Sequence, residues 1–261
     1  MASPRTLVVL GCGTSMGVPM IGCDCAVCTS PNPKNGRTRP SVLMHVPGGN
    51  VLIDTSPELR LQLVRERIGL VHSVLYTHYH VDHLFGLDDA RIFPMKLGHA
   101  LPVYCTDDVE EVIRQAFSYA FHPPPSDNAP SFVLPSLAFH RIDSRPFDLL
   151  GERFTPIPLI HGRFNVLGFR VGDLAYCTDV NRIPDGSWPL LEGLDTLLLD
   201  CLRPGESHPS HFGLEDALDV VRRVKPKRTY FTHMSHKWDW DDVPPLPPGV
   251  ALAYDGLRIE F

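Results

Sequence analysis

The stretch His78-Tyr79-His80-Val81-Asp82-His83 constrains this chain more than any other. It follows a mostly apolar run, Val71 to Tyr76, whose Val-Leu-Tyr end is typical of a strand. Imidazole nitrogen and carboxylate oxygen are the usual ligands of zinc, manganese and iron, and this stretch offers three of the one and a source of the other. If it leaves the strand as a loop or first helical turn, His78 and His80 point one way and Asp82 and His83 another. One cluster can then serve two adjacent metals. A pair of histidines alone would read as a His-rich surface loop; the full H-x-H-x-D-H pattern after a buried strand favours metal chemistry.

With 261 residues the chain is expected to form one domain over 1–261. Its 43% hydrophobic and 21% charged content is ordinary for a globular enzyme. No apolar run approaches the roughly 18 residues of a membrane span, and the short run after Arg5 reads as a first strand rather than a signal core. A cytoplasmic protein is expected. The net charge of −6 makes nucleic acid an unlikely main partner.

Leu7 to Leu10 reads as a strand running into the loop Gly11-Cys-Gly-Thr-Ser-Met-Gly17. That loop lacks a Walker lysine and the G-x-G-x-x-G spacing, so it reads as a tight turn beneath the site, with at most some backbone N–H groups facing a substrate. Cys23, Cys25 and Cys28 are spaced too closely for mutual disulfides and suit a zinc that takes a fourth ligand from elsewhere, although three free thiols in a loop remain the alternative. Lys34, Arg37 and Arg39 form either a solvated loop face or a source of positive charge for an anionic substrate.

Further on, Val42–Val46 and Asn50–Ile53 read as a hairpin. A helix is expected from Pro57 to about Ile68 with Ser56 as its N-cap, another from Gly86 to Phe93 stopped by Pro94, and a third over Asp107–Phe121. A Pro-rich loop is expected at 122–128, antiparallel strands between Phe132 and Val171, a helix over Gly213–Val224, and strands ending at Asp179, Asp200 and His233. Val250 to Phe261 holds a final pair of strands. Runs of strands accompanied by helices suggest a two-sheet sandwich with helices outside, its candidate ligands on strand ends at one rim.

Taken singly, His161 and His233 would be ordinary strand-end histidines, and Asp179 a turn cap. Together they complete two ligand sets. One metal takes His78, His80 and His161, the other takes Asp82, His83 and His233, and Asp179 lies between them. His236 is the candidate fourth ligand for the cysteine site, which forms a structural zinc loop at 22–41.

With these residues in view, the chain resembles the metallo-β-lactamase fold superfamily through H-x-H-x-D-H, His161, Asp179, His233 and the Asp54 that follows a hairpin. Gly11 to Pro19, the Cys23-x-Cys25-x-x-Cys28 loop and Thr232-His-Met-Ser-His236 resemble a narrower branch. That branch includes the phosphoribosyl cyclic phosphodiesterase of the carbon–phosphorus lyase pathway and is similar to ribonuclease Z. The resemblance implies an α+β, four-layered αββα sandwich, often a homodimer, with two catalytic manganese or zinc ions and one structural zinc.

It also implies hydrolysis of a small phosphodiester, cyclic ribose or nucleotide in type, by a metal-bridging hydroxide. The catalytic candidates are Asp82 and, matching the branch's proton donor, His211; His208 or an exposed loop histidine is the alternative reading of that position. Asp54 and Asp200 are expected to orient metal-bound histidines. The loops at Pro123–Asn128 and Trp238–Trp240 are candidates for setting specificity. The rival functions are a lactonase or thioesterase of the same fold and a non-catalytic metal- or RNA-binding module.

Overall fold

The computed structural model describes residues 5–122 and 134–261. The proline-rich stretch from Pro123 to Asn128 and the start of the run at Phe132 lie outside them. Strands β1 (Thr6–Gly11), β2 (Ser41–Val46), β3 (Gly49–Ile53), β4 (Ser73–Leu75), β5 (Leu101–Cys105) and β6 (Leu137–Arg141) are followed by β7 (Phe147–Leu149), β8 (Glu152–His161) and β9 (Phe164–Val171). After these come β10 (Leu174–Cys177), β11 (Thr196–Asp200), β12 (Arg228–Thr232), β13 (Val250–Leu252) and β14 (Arg258–Glu260). They form two sheets, ordered β14-β1-β2-β3-β4-β5-β6 and β13-β12-β11-β10-β9-β8-β7.

Both sheets are mixed. β14 to β3 pair antiparallel and β3 to β6 parallel. In the second sheet β7 to β10 pair antiparallel and β10 to β13 parallel. Parallel neighbours need crossovers, and helices α1 (Leu59–Arg65), α2 (Val81–Leu84), α3 (Ile92–Leu97), α4 (Asp107–Ala116), α5 (Ser118–Phe121) and α6 (Leu214–Val224) lie in them. The period of two in the strands then decides the layering. Leu7, Val9, Val42, Met44, Val51 and Ile53 join the core shared with the second sheet. Their alternates Val8, Leu10, Leu43 and Leu52 join a separate core with Leu59, Leu63, Leu84 and Phe93 from the helices. On the second sheet α6 buries Leu214, Ala217 and Leu218, one stripe at helical spacing. The result is an α+β sandwich of two sheets with helices. No helix among the described residues is long and apolar enough to cross a membrane.

Some local expectations need correction. The first helix begins at Leu59, and Ser56 does not cap it with its side chain, because the Ser56 hydroxyl donates to Gln62 Oε1 at 2.9 Å. Pro94 does not stop a helix. It sits in the first turn of α3, where an N–H would be unpaired anyway, and Gly98 at φ 75° ends that helix instead. The helix expected over Asp107–Phe121 breaks at Phe117, whose backbone leaves the helical region and whose ring lies 5.7 Å from that of Phe85. The last two strands do not pair with each other: β13 extends the second sheet and β14 the first. Between them Asp255 accepts hydrogen bonds from Cys12 N, Thr38 N and Thr38 Oγ1, fixing the crossing.

Candidate metal centre

Strand ends at one rim bring the site together. β4 leads through Thr77 into His78 and His80, and α2 carries Asp82 and His83. His161 ends β8, and Asp179 and His233 follow β10 and β12. Asp54, Asp179 and His233 adopt left-handed backbone, with φ of 64°, 50° and 58°. Such conformations are costly for residues other than glycine and cluster where a site dictates the geometry.

Asp179 lies between two histidine pairs. Its Oδ2 is 3.9 Å from His78 Nε2 and 3.7 Å from His161 Nε2, while its Oδ1 is 3.1 Å from His83 Nε2 and 3.3 Å from His233 Nε2. Asp82 Oδ2 stands 3.4 Å from both His83 Nε2 and His233 Nε2. Two groups of potential ligand atoms result, His78, His80, His161 and Asp179 in one and Asp82, His83, Asp179 and His233 in the other. His78 and His80 thus fall in one group and Asp82 and His83 in the other.

The surroundings fix which nitrogen of each ring faces inward. Asp54 accepts from Thr77 N at 2.9 Å and Thr77 Oγ1 at 2.8 Å, and its Oδ2 holds His83 Nδ1 at 2.7 Å. His161 Nδ1 donates to the Ser210 carbonyl at 2.6 Å. In both rings Nε2 is left for the site. His78 Nε2 and His83 Nε2 are buried with no hydrogen-bond partner among the described residues. Buried polar atoms are rarely left so, and a cation bound by the two groups would satisfy them. The donor set, imidazoles and carboxylates, suits a divalent transition metal. Burial opposes the charge on Asp179, but His233 and His83 outweigh it and hold its carboxyl well below the usual range. Burial and the neighbouring His83 push His78 down.

His211 stands beside both groups, its ring 4.5 Å from His161 and 4.6 Å from His233. Its Nδ1 bonds Asp200 Oδ2 at 2.7 Å. Burial disfavours its charge, yet the Asp200 charge and hydrogen bond prevail and raise it to about 9. Asp54 thus orients a ligand candidate as expected, whereas Asp200 orients His211 instead. The reason is position: Asp200 ends β11, between the His211 loop and Val180, whose N–H it also accepts at 2.8 Å. His208 lies farther out, its Nδ1 3.1 Å from Ser210 Oγ.

The Cys23, Cys25 and Cys28 sulfurs lie 3.2, 3.6 and 3.5 Å from His236 Nδ1, forming a separate group that could hold a metal ion. The basic residues near it do not face a substrate. Arg37 is buried and donates to the Ser235 and Trp238 carbonyls at 3.2 and 2.8 Å, bracing the turn that carries His236. Arg39 forks onto Glu58 at 2.7–3.0 Å, and Lys34 lies 4.4 Å over the Trp240 ring. Nor does Trp238 line a pocket: it is wholly buried, its indole N–H donating to Cys201 O at 2.8 Å. The glycine-rich loop offers no spare N–H groups at Cys12, Gly13 or Thr14. These donate to Asp255, Thr38 and Met234, and Met234 N–H returns a bond to Cys12 O. The loop braces the turn after His233 rather than facing a substrate. Thr77 and Ser210 went unnoticed in the sequence and Arg37 was read there as surface or substrate charge, since nothing in a lone Arg, Thr or Ser marks a positioning role.

A solved structure described as a new diphosphatase from the PhnP family is 43% identical, with a TM-score of 0.91; the match covers 100% of this chain and 98% of that one. An octanoyltransferase from Porphyromonas gingivalis is 34% identical over 254 residues, 96% of this chain but only 50% of that protein, so this chain spans half of that relative's length. The Zn2+-bound PqqB of Methylobacterium extorquens shares the fold, at 18% identity and a TM-score of 0.74 over 98% of this chain and 100% of that one. The family model of the beta-lactamase superfamily domain matches residues 49–234. With that match and the two-sheet architecture, the chain belongs to the metallo-β-lactamase superfamily of hydrolases.

Proposed function

We propose that residues 1–261 form one metal-dependent phosphodiesterase unit, acting on small diesters such as cyclic ribose or nucleotide phosphates. One observation carries the reading: a carboxylate shared by two histidine groups, with the His211–Asp200 pair against both. His78, His80, His161 and Asp179 would hold one divalent cation, Asp82, His83, Asp179 and His233 another, and the cysteine group with His236 a structural zinc. When bound, two such cations supply charge to a phosphoryl oxygen and make water a better nucleophile at neutral pH. Manganese and zinc both suit this donor set.

The remaining work falls to the chain. Asp54 and the Ser210 carbonyl keep His83 and His161 turned so that Nε2 faces the centre. Asp200 keeps a proton on His211 Nδ1, which leaves Nε2 as the atom that gives a proton to the departing alkoxide. The diphosphatase named above supports phosphoryl rather than carbonyl chemistry.

Metal-loaded protein is expected to hydrolyse bis(p-nitrophenyl) phosphate; activity confined to lactone or thioester substrates would overturn the reading. His211→Ala is expected to lower kcat by about 10²–10⁴-fold for a diester with an alkoxide leaving group. The loss should be much smaller with p-nitrophenolate, which departs without a proton. Equal losses on both would remove the proton-donor role.

A further inference from the structure

We infer that Thr77 is a positioning residue whose hydroxyl ties His78 to Asp54, so that one buried carboxylate sets a ring in each of the two candidate cation groups. This role rests on the two-cation reading above and is independent of which ester is cleaved.

Asp54 Oδ2 takes two side-chain bonds, from His83 Nδ1 at 2.7 Å and from the Thr77 hydroxyl at 2.8 Å. The same hydroxyl lies 3.0 Å from His78 Nδ1. A hydroxyl has one proton to donate. Because that proton goes to the carboxylate, the oxygen meets His78 as an acceptor, and His78 Nδ1 carries the hydrogen. In the neutral ring Nε2 is then the bare nitrogen. It is buried, has no hydrogen-bond partner among the described residues and lies 3.9 Å from Asp179 Oδ2. Asp54 thus reaches His83 directly and His78 through one hydroxyl. His83 belongs to one group and His78 to the other. His161 takes its support elsewhere, from the Ser210 carbonyl.

The link is built to be stiff. Thr77 is 2% exposed, and Asp54 and His83 are wholly buried. Thr77 N–H donates to Asp54 Oδ1 at 2.9 Å, and Thr77 O accepts from Leu167 N on β9 at 3.0 Å, so both sheets hold the residue. Asp54 is set in turn by its own N–H on Leu75 O at 2.9 Å and by Ser41 Oγ, which donates to Asp54 O at 2.8 Å. A β-branched side chain has few rotamers to lose. Valine at this position keeps the shape and drops the hydroxyl. His78 Nδ1 then lacks its acceptor, while His83 keeps its bond to Asp54.

The test uses manganese, which the cysteine group disfavours because thiolates select softer ions. Calorimetric titration into protein freed of its catalytic cations is expected to show two bound manganese ions. Thr77→Val should weaken one of them by about 10–100-fold, the usual cost of losing a ligand's outer partner, and Thr77→Ser should restore most of the affinity. In a His161→Ala background, where the His78 group is already incomplete, Thr77→Val should leave the remaining ion's affinity nearly unchanged. An equally large loss there would make Thr77 a support of His83 instead and overturns the proposal. Nitrogen NMR of histidine-labelled, cation-free protein reads the ring directly. His78 should carry its proton on Nδ1 in the wild type and in Thr77→Ser, and lose that preference in Thr77→Val. This measurement still judges Thr77 if no manganese binds and the two-cation reading fails. A wild-type His78 protonated on Nε2, or a Thr77→Val variant that keeps the Nδ1–H form, overturns the proposal.

Discussion

Asp179→Asn is expected to reduce phosphodiester hydrolysis by about three orders of magnitude or more, and to strip the catalytic cations, since cations that organise a displacement supply several kcal/mol. The argument is geometric. Asp179 splits its oxygens between His78 and His161 on one side and His83 and His233 on the other, and among the described residues no other side chain belongs to both groups. Asparagine is the informative replacement because Asp179 sits at φ 50°, a conformation that asparagine tolerates and most residues do not. The backbone then survives while the shared negative charge disappears. Metal analysis and bis(p-nitrophenyl) phosphate hydrolysis should fall together, with thermal unfolding still cooperative. A variant that keeps two cations, or a rate within tenfold of wild type, would show that the carboxylate is not the shared element.

The centre of this site was legible because its signals are local. Six positions, 78 to 83, hold four candidate ligands, and the remaining ones each end a strand whose apolar run marks it. The strands β1 to β3 were legible from their apolar runs, whereas the division of their alternate residues between two cores came only with the structure. What was not legible depends on contacts far apart in sequence. Nothing local shows that Asp200 belongs to His211 rather than to a ligand candidate, or that Arg37 ends up buried under the Trp238 carbonyl. Pro94 misled because a proline in a first turn and a proline that stops a helix look alike until the helix start is known. The glycine-rich loop was legible as a tight turn, but not the partners of its Cys12, Gly13 and Thr14 N–H groups, which are Asp255, Thr38 and Met234, none of them a neighbour in the chain.

Cys25→Ala is expected to act on stability and hardly on chemistry. It should remove one zinc and lower the unfolding free energy by on the order of 3–5 kcal/mol, as loss of a structural metal does. The segment around the cysteines has little regular structure to hold it, only a 3-10 turn at Pro33–Asn35. Its other ties to the rest of the protein include Arg37, the Asn35–Asp239 bond at 2.9 Å and the Asn32–Asp241 bond at 2.8 Å. A metal shared with His236 would be the strongest of these. Yet His236 lies three residues beyond His233, and His233 has supports of its own. Thr232 O accepts from Cys201 N at 3.0 Å, and Met234 exchanges backbone bonds with Cys12 and Thr14. Below its lowered melting temperature the variant should therefore keep kcat within about tenfold of wild type, the low end of the cost of disturbing a ligand's support. Urea unfolding with parallel metal analysis and kinetics separates the two effects. A variant that loses catalysis while unfolding like the wild type would place the cysteine group within the chemistry instead of beneath it.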